Sequence, residues 1–340
     1  MLGLAWHHAP TGGRDRNMSE AIKCFDSALN ALNKERDHQW WAETQLQLGS
    51  AWLELPTGDK AANIDTAIRH FESAMQVWTR DADKHHWATL QNCIGFAWER
   101  NPRGKHQENL ERAISHYNSA LEVRSRDTHP AHWARVQNNL GNAFMQLSHG
   151  DHKQNIEKAI AYQTAALEVW TRENRRIEWA ATQSNLGNAY CLLPAEGEDR
   201  QKNLRRAIAA YKAALEVRTR AINPHEWAAT LNNMGSACLH LTTTKTGASI
   251  AEAIDCFTKS LEVRTRASQP IEWAKTQANM GLAWSRHPAG DRVDNLHEAV
   301  ACLENALEIF TAEAHPNQHQ HVSARLADVK KQLFELGHAR

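Results

Sequence analysis

The side chains of this chain best placed to do chemistry are amides. Asn92, Asn138, Asn139, Asn142, Asn185, Asn188, Asn232, Asn233 and Asn279 all lie within three residues of a glycine in a recurring Leu/Ile/Met-Gly-x-Ala-aromatic phrase. An asparagine offers both a donor and an acceptor. Such a set suits pairing with the backbone of an extended peptide whatever its side chains. Asn138 and Asn142 are four apart, so on a helix they share a face. The competing reading is that these amides bond one another between repeats, or face water.

Other chemistry has thinner support. Arg80, Arg126, Arg172, Arg220 and Arg266 recur at one position of the repeat, where cations favour the negative end of a helix; an arginine ridge for an acidic partner is the alternative. The 20 histidines invite a metal reading, yet His7-His8, His85-His86 and His319-Gln320-His321 fall in different repeats or near the ends. No Cys or carboxylate stands beside them at ligand spacing, so solvated surface is expected and no metal or cofactor. Cys24, Cys256 and Cys302 sit three residues after equivalent alanines and read as small core residues. Cys93, Cys191 and Cys238 show no paired spacing, which fits a reducing cytoplasm. With no nucleophile elbow, phosphate loop or Cys/His arrangement, the chain is not expected to be an enzyme.

What positions these residues is a repeat. The phrase glycines are Gly3, Gly49, Gly95, Gly141, Gly187, Gly235 and Gly281, at steps of 46, 46, 46, 46, 48 and 46 residues. Such a period marks a solenoid, whose units bury their apolar faces only by stacking. In one unit, Trp133, Val136, Leu140 and Phe144 form an amphipathic stripe that predicts a helix A. Ser148-His149-Gly150-Asp151 breaks the pattern, and a helix B is predicted from Ile156 to Arg172. Asn17, Asn63, Asn109, Asn155, Asn203, Ser249 and Asn295 each precede the core alanine of helix B by four residues, so their side-chain oxygens are expected to cap its amides at about 1 kcal/mol each. Pro130, Pro224 and Pro270, three residues before a tryptophan, suit the first turn of helix A. The phrase glycines are expected to let helix A approach the alanines Ala21, Ala67, Ala113, Ala159, Ala207, Ala253 and Ala299 of helix B closely.

The bulk numbers narrow the function classes. Lys plus Arg equals Asp plus Glu at 39 each, so no general basic field exists to hold nucleic acid or an anionic bilayer. No apolar run approaches the roughly 20 residues a membrane span needs. The repeat continues from the first residues to Ala306 without a linker, so one elongated domain over 1–340 is expected, with repeats starting near 1, 41, 87, 133, 179, 227 and 273.

These residues resemble the tetratricopeptide repeat, with Leu-Gly-x-x-aromatic on helix A and Ala-x-x-x-aromatic-x-x-Ala on helix B. Leu186-Gly187 with Tyr190, then Ala207 with Tyr211 and Ala214, matches it throughout; Leu48-Gly49-Trp52 with Ala67-Phe71-Ala74 does so too. The resemblance covers nearly the whole chain. Three departures mark a long variant similar to bacterial arrays in multidomain proteins, including protease-linked ones. The period is 46 rather than 34 residues. A tryptophan stands seven residues before the phrase Leu, as Trp133 does. Ser125, Thr171, Thr219 and Thr265 replace the usual helix-ending proline, so helix B is expected to run on into the Thr-Arg segment.

The resemblance implies an all-α solenoid, a right-handed superhelix of about seven helix pairs with a C-terminal capping helix over about 317–337. It also implies a concave groove lined by helix A at the asparagine positions. Groove cations are expected only at Arg135 and Lys275, six residues before their glycines, so capture of a terminal carboxylate by lysines and arginines is not expected. The implied function is a non-catalytic, cytoplasmic scaffold holding a peptide or helical segment of a partner protein, with neither nucleic acid nor membrane as partner. The alternative is a regulatory arm of a larger enzyme acting in cis. Because Leu2-Gly3-Leu4-Ala5-Trp6 begins midway along a helix A, an upstream segment or a second copy is expected to cover that end, with Met1 an excision point or mis-set start.

Overall fold

The computed structural model describes residues 2–7, 9, 13–241 and 246–338, and every regular element among them is an α-helix. In order these are α1 (Leu2–His7), α2 (Arg14–Ala31), α3 (His38–Glu54), α4 (Lys60–Met75), α5 (Lys84–Arg100), α6 (His106–Leu121), α7 (Pro130–Gln146) and α8 (His152–Leu167), then α9 (Arg176–Leu192), α10 (Gly197–Leu215), α11 (Pro224–His240), α12 (Thr246–Leu261), α13 (Pro270–Ser285), α14 (Arg292–Leu307) and α15 (Pro316–His338). They form two compact units, residues 1–169 and 170–340. Met1 and His8, singled out in the sequence, lie outside the described residues.

In both units odd-numbered helices are A helices and even-numbered ones B helices. Within each unit an A packs on the B of its own repeat, and that B packs on the next A of the same unit. A helices also meet one another, α3 with α5 and α5 with α7 in the first unit, and α9 with α11, α11 with α13 and α13 with α15 in the second. In each unit, then, the A helices form a row with the B helices behind it. Helix α15 occupies the place of an A helix and covers the apolar face of α14 with Val322 and Val329.

The phrase glycine makes room for a large side chain of helix B, a ring at Gly3, Gly49, Gly95, Gly187 and Gly235, Gln163 at Gly141 and Leu303 at Gly281. A Cβ on Gly95 would fall 2.8 Å from Tyr117 Cε1, and one on Gly187 2.6 Å from Tyr211 Cε1. The expected contact of small with small is therefore corrected. The core alanine contributes its backbone carbonyl (Ala113 O, 3.1 Å), and the residue one turn later fills the space. Phe71, Tyr117, Tyr211 and Phe257 are buried there, each side chain stabilising by about 1.5–3 kcal/mol.

Two boundary expectations also change. The recurrent asparagines are not N-caps; they lie inside helix B, buried, and donate backwards. Asn109 Nδ2 donates to Asn101 O (3.0 Å) and Arg103 O (2.7 Å), and Asn63 Nδ2 donates to Thr57 O (2.8 Å). They satisfy carbonyls of the A–B turn, whose Gly58, Gly104, Gly150 and Gly290 have positive φ. The capping oxygens belong to Asp59, Asp151 and Asp291, which accept amides of the first turn. Nor does helix B run on past its core. Helices α6, α8 and α10 end at Leu121, Leu167 and Leu215, and Thr171 Oγ1 accepts from the amides of Glu173 and Asn174. A hydroxyl that offers the backbone a local acceptor competes with continued helix. Pro130, Pro224 and Pro270 do open their A helices.

Candidate functional site

The candidate asparagines lie on the A helices, half-buried except for Asn139, which is buried. Many are bonded to each other across repeats. Asn139 Nδ2 donates to Asn92 Oδ1 (3.0 Å), joining α7 to α5. In the second unit Asn233 Nδ2 donates to Asn188 Oδ1 (2.9 Å), joining α11 to α9, and Asn279 Nδ2 donates to Asn232 Oδ1 (3.4 Å), joining α13 to α11. Asn188 Oδ1 also accepts from Tyr211 (2.8 Å), while Asn142 Oδ1 accepts from Gln163 Nε2 (3.4 Å). Asn138 and Asn185 occupy half-buried positions on α7 and α9, and Arg135 is exposed on α7. The ladder thus ties A helices together. Asn232 Oδ1 also accepts from Thr276 Oγ1 (3.2 Å), and Asn279 Nδ2 also donates to Ser236 Oγ (3.3 Å).

The recurrent arginines do not form a free cationic ridge. Each lies beyond the end of helix B and pairs with a glutamate one repeat on: Arg80 with Glu122 (2.8 Å), Arg220 with Glu262 (2.7 Å), Arg266 with Glu308 (2.6 Å), and likewise Arg126 with Glu168 and Arg172 with Glu216. Both explanations read from sequence are corrected: the charge is neutralised by the neighbouring repeat. The visible signal was there, since the glutamates follow the same period as the arginines.

One position does bring candidate residues together over an apolar floor. Between α13 and α15 a recess of about 450 Å³ is lined by Asn232, Lys275 and Asn279 from the A-helix face, with Phe310 and Val322 below and His321 at one end. Phe310 and Val322 are buried core side chains. Such a mix, an apolar base with a few converging polar groups, is what a ligand site requires. Farther along the same seam lies a second cleft of about 520 Å³, lined by Arg286, Arg292, Arg325, His240 and again His321. Sequence reasoning missed this group. His240 and Arg286 each stand five residues after a phrase glycine, a register that could have flagged them; Arg325 comes from the cap, which carries no phrase.

Other titratable groups are explained by packing. Burial raises the Glu99 carboxyl on α5, which accepts from Tyr117 (2.8 Å) and from Gln146 Nε2 (3.0 Å). Burial likewise raises Cys93 to about 11 and Cys238, Cys256 and Cys302 to about 12, far from the thiolate a nucleophile needs. All six cysteines are unbridged. Among the described residues no group of three or more His, Cys, Asp or Glu is placed to hold a metal ion, and no helix is long and apolar enough to cross a membrane.

The sequence matches no protein-family model, and no curated protein matches it. Solved structures do match. The Cut9–Hcn1 hetero-tetramer of the APC/C aligns with a TM-score of 0.58 and 17% identity over 92% of this chain and 46% of that one. This chain therefore spans about half the length of that relative. The C-terminal part of a TPR repeat-containing protein from Cytophaga hutchinsonii aligns at 0.48 and 17% over 86% and 90%, and a Rap protein complexed with competence and sporulation factor at 0.48 and 13% over 98% and 96%. The repeated helix pairs and their Leu-Gly and Ala-aromatic-Ala contacts are those of the tetratricopeptide-repeat fold.

Proposed function

We propose that this chain is a non-catalytic protein-interaction scaffold that holds a peptide segment of a partner along its row of A helices. The observation that carries the reading is the α13–α15 recess, where Asn232, Lys275 and Asn279 converge over the buried ring of Phe310. Lys275 and the amides supply donors and acceptors to a peptide backbone, and the floor takes one apolar side chain. Burial raises the Cys238 and Cys256 thiols to about 12, so they carry little thiolate. Protein partners also accompany the similar structure, a hetero-tetramer by its own description.

The test is affinity capture from native lysate, run in parallel on the parent chain and on Asn279→Trp, which fills the recess from the exposed side. A protein retained by the parent and lost by the variant supports the groove. Equal retention by both, with unchanged helicity, moves the binding surface elsewhere.

A further inference from the structure

The cleft beyond that recess carries charge that nothing in the fold uses. Arg286 ends α13 and Arg325 lies mid-way along α15; both are exposed, and among the described residues neither makes an ion pair. Arg292 is anchored, its guanidinium donating to Ser285 O (2.7 Å) and Gln332 Oε1 (2.7 Å). A single carboxylate, Asp328, lines the cleft, and it accepts from Gln332 Nε2 (2.9 Å). Burial first, then the positive charges of Arg286, Arg200 and Arg325, hold the His240 imidazole below its ordinary range. His240, Arg286, Arg292 and Arg325 all line this cleft.

The carbonyl ends of α11 and α13 account for a cation at His240 and Arg286, whereas Arg325 enters the same cleft from mid-way along α15, one turn before Asp328. The recurrent arginines that follow helix B, such as Arg126, Arg172 and Arg220, are matched by glutamates one repeat on. At this cleft the match is missing. Two unpaired guanidiniums facing one opening favour a carboxylate, which they hold by charge-assisted bonds.

The spacing fixes where that carboxylate falls in a ligand. Lys275 and Asn279 mark the apolar recess; Leu282 and Arg286, each seven residues later on the same helix, mark the cleft. At a rise of ~1.5 Å per residue the two are about 10 Å apart, a span that about three residues of extended chain cover. His321 lines both, so the seam is continuous. Building on the peptide-groove reading above, we infer that the α13–α15 seam selects an extended segment with an apolar residue in the Phe310 recess and an acidic residue about three positions away, its carboxylate held by Arg286 and Arg325.

The experiment uses the full chain and fluorescein-labelled degenerate heptapeptide pools, each fixed at two positions three apart: leucine with glutamate, leucine with glutamine, leucine with lysine, and alanine with glutamate. Fluorescence anisotropy is read at about 50 mM and about 300 mM salt. The expected result is binding of the leucine–glutamate pool about tenfold tighter than the leucine–glutamine pool, weakened by salt, with the double variant Arg286→Glu/Arg325→Glu turning the preference to leucine–lysine. Arg325→Gln, an exposed change, gives an intermediate loss and serves should the double variant lose helicity. Equal binding of the glutamate and glutamine pools overturns the acidic selection while leaving the groove in place. Binding by no pool overturns both.

Discussion

Two seams between A helices, built on the same backbone repeat, behave differently. Between α5 and α7 the polar residues find mates: Asn139 donates to Asn92, and Gln146 reaches Glu99, which also accepts from Tyr117. Between α13 and α15, among the described residues, no side-chain hydrogen bond crosses, and two recesses remain. The difference lies in the partner helix. A regular A helix repeats the amide register of its neighbour, so bonds form across the seam. The cap α15 carries Asn317, Gln318, His321 and Arg325 beside these recesses, and Lys275 pairs instead with Glu272 of its own helix (2.8 Å). At the α13–α15 seam the two recesses coincide with the break in register.

The core beneath both seams is expected to be equivalent, and the largest effect tests that. Tyr117→Ala, which empties the ring site over Gly95, should cost about 3–5 kcal/mol, read from the midpoint of urea unfolding. A loss below about 1 kcal/mol would mean that the closed seam, rather than the ring, holds this repeat. Next, Gln163 occupies the ring position of α8, buried, with its Oε1 unpartnered. Gln163→Leu should raise stability by about 1 kcal/mol, because a buried acceptor without a mate is removed; a lower melting temperature would instead point to its bond with Asn142.

A third test concerns Glu99. Its folded-state pKa is raised above 4.5 by burial, so its contribution to stability is fully present below the unfolded value and is lost as pH rises through the folded one. Glu99→Gln keeps an acceptor for Tyr117 but cannot ionise. Its advantage over the parent should therefore be larger at pH 7 than at pH 4, measured by thermal melts at both. An equal difference at the two pH values would show that Glu99 titrates normally. The smallest effect belongs to the arginine–glutamate rungs. Arg126 and Glu168 are each about half exposed, and such pairs contribute about 0–1 kcal/mol. Arg126→Ala should shift the unfolding midpoint barely at all, and a larger loss would make the rungs structural supports in their own right.

The site was partly legible. The period and the glycine register placed Asn232, Asn279 and Lys275 on one row of helices, and the recess brings those three together. Arg135, Asn138 and the remaining asparagines lie on A helices without lining that recess. The arginines were seen but misread, because their partners lie a whole repeat away: Glu168 is 42 residues from Arg126. The helix-B asparagines were assigned the wrong end of their amide, since an Asn four residues before a core alanine looks the same whether it caps forward or donates back to the turn.

The amino-acid sequence by itself determined the helix pairs, their order, the glycine seats and the absence of an overall charge, because each follows from local periodicity and composition. The tertiary structure alone decided which polar groups satisfy one another and which do not. Pairing across repeats depends on side-chain reach between helices some 40 residues apart, and a residue such as Arg286 is distinguished from Arg266 only by the glutamate that the folded chain brings, or fails to bring, within hydrogen-bond distance.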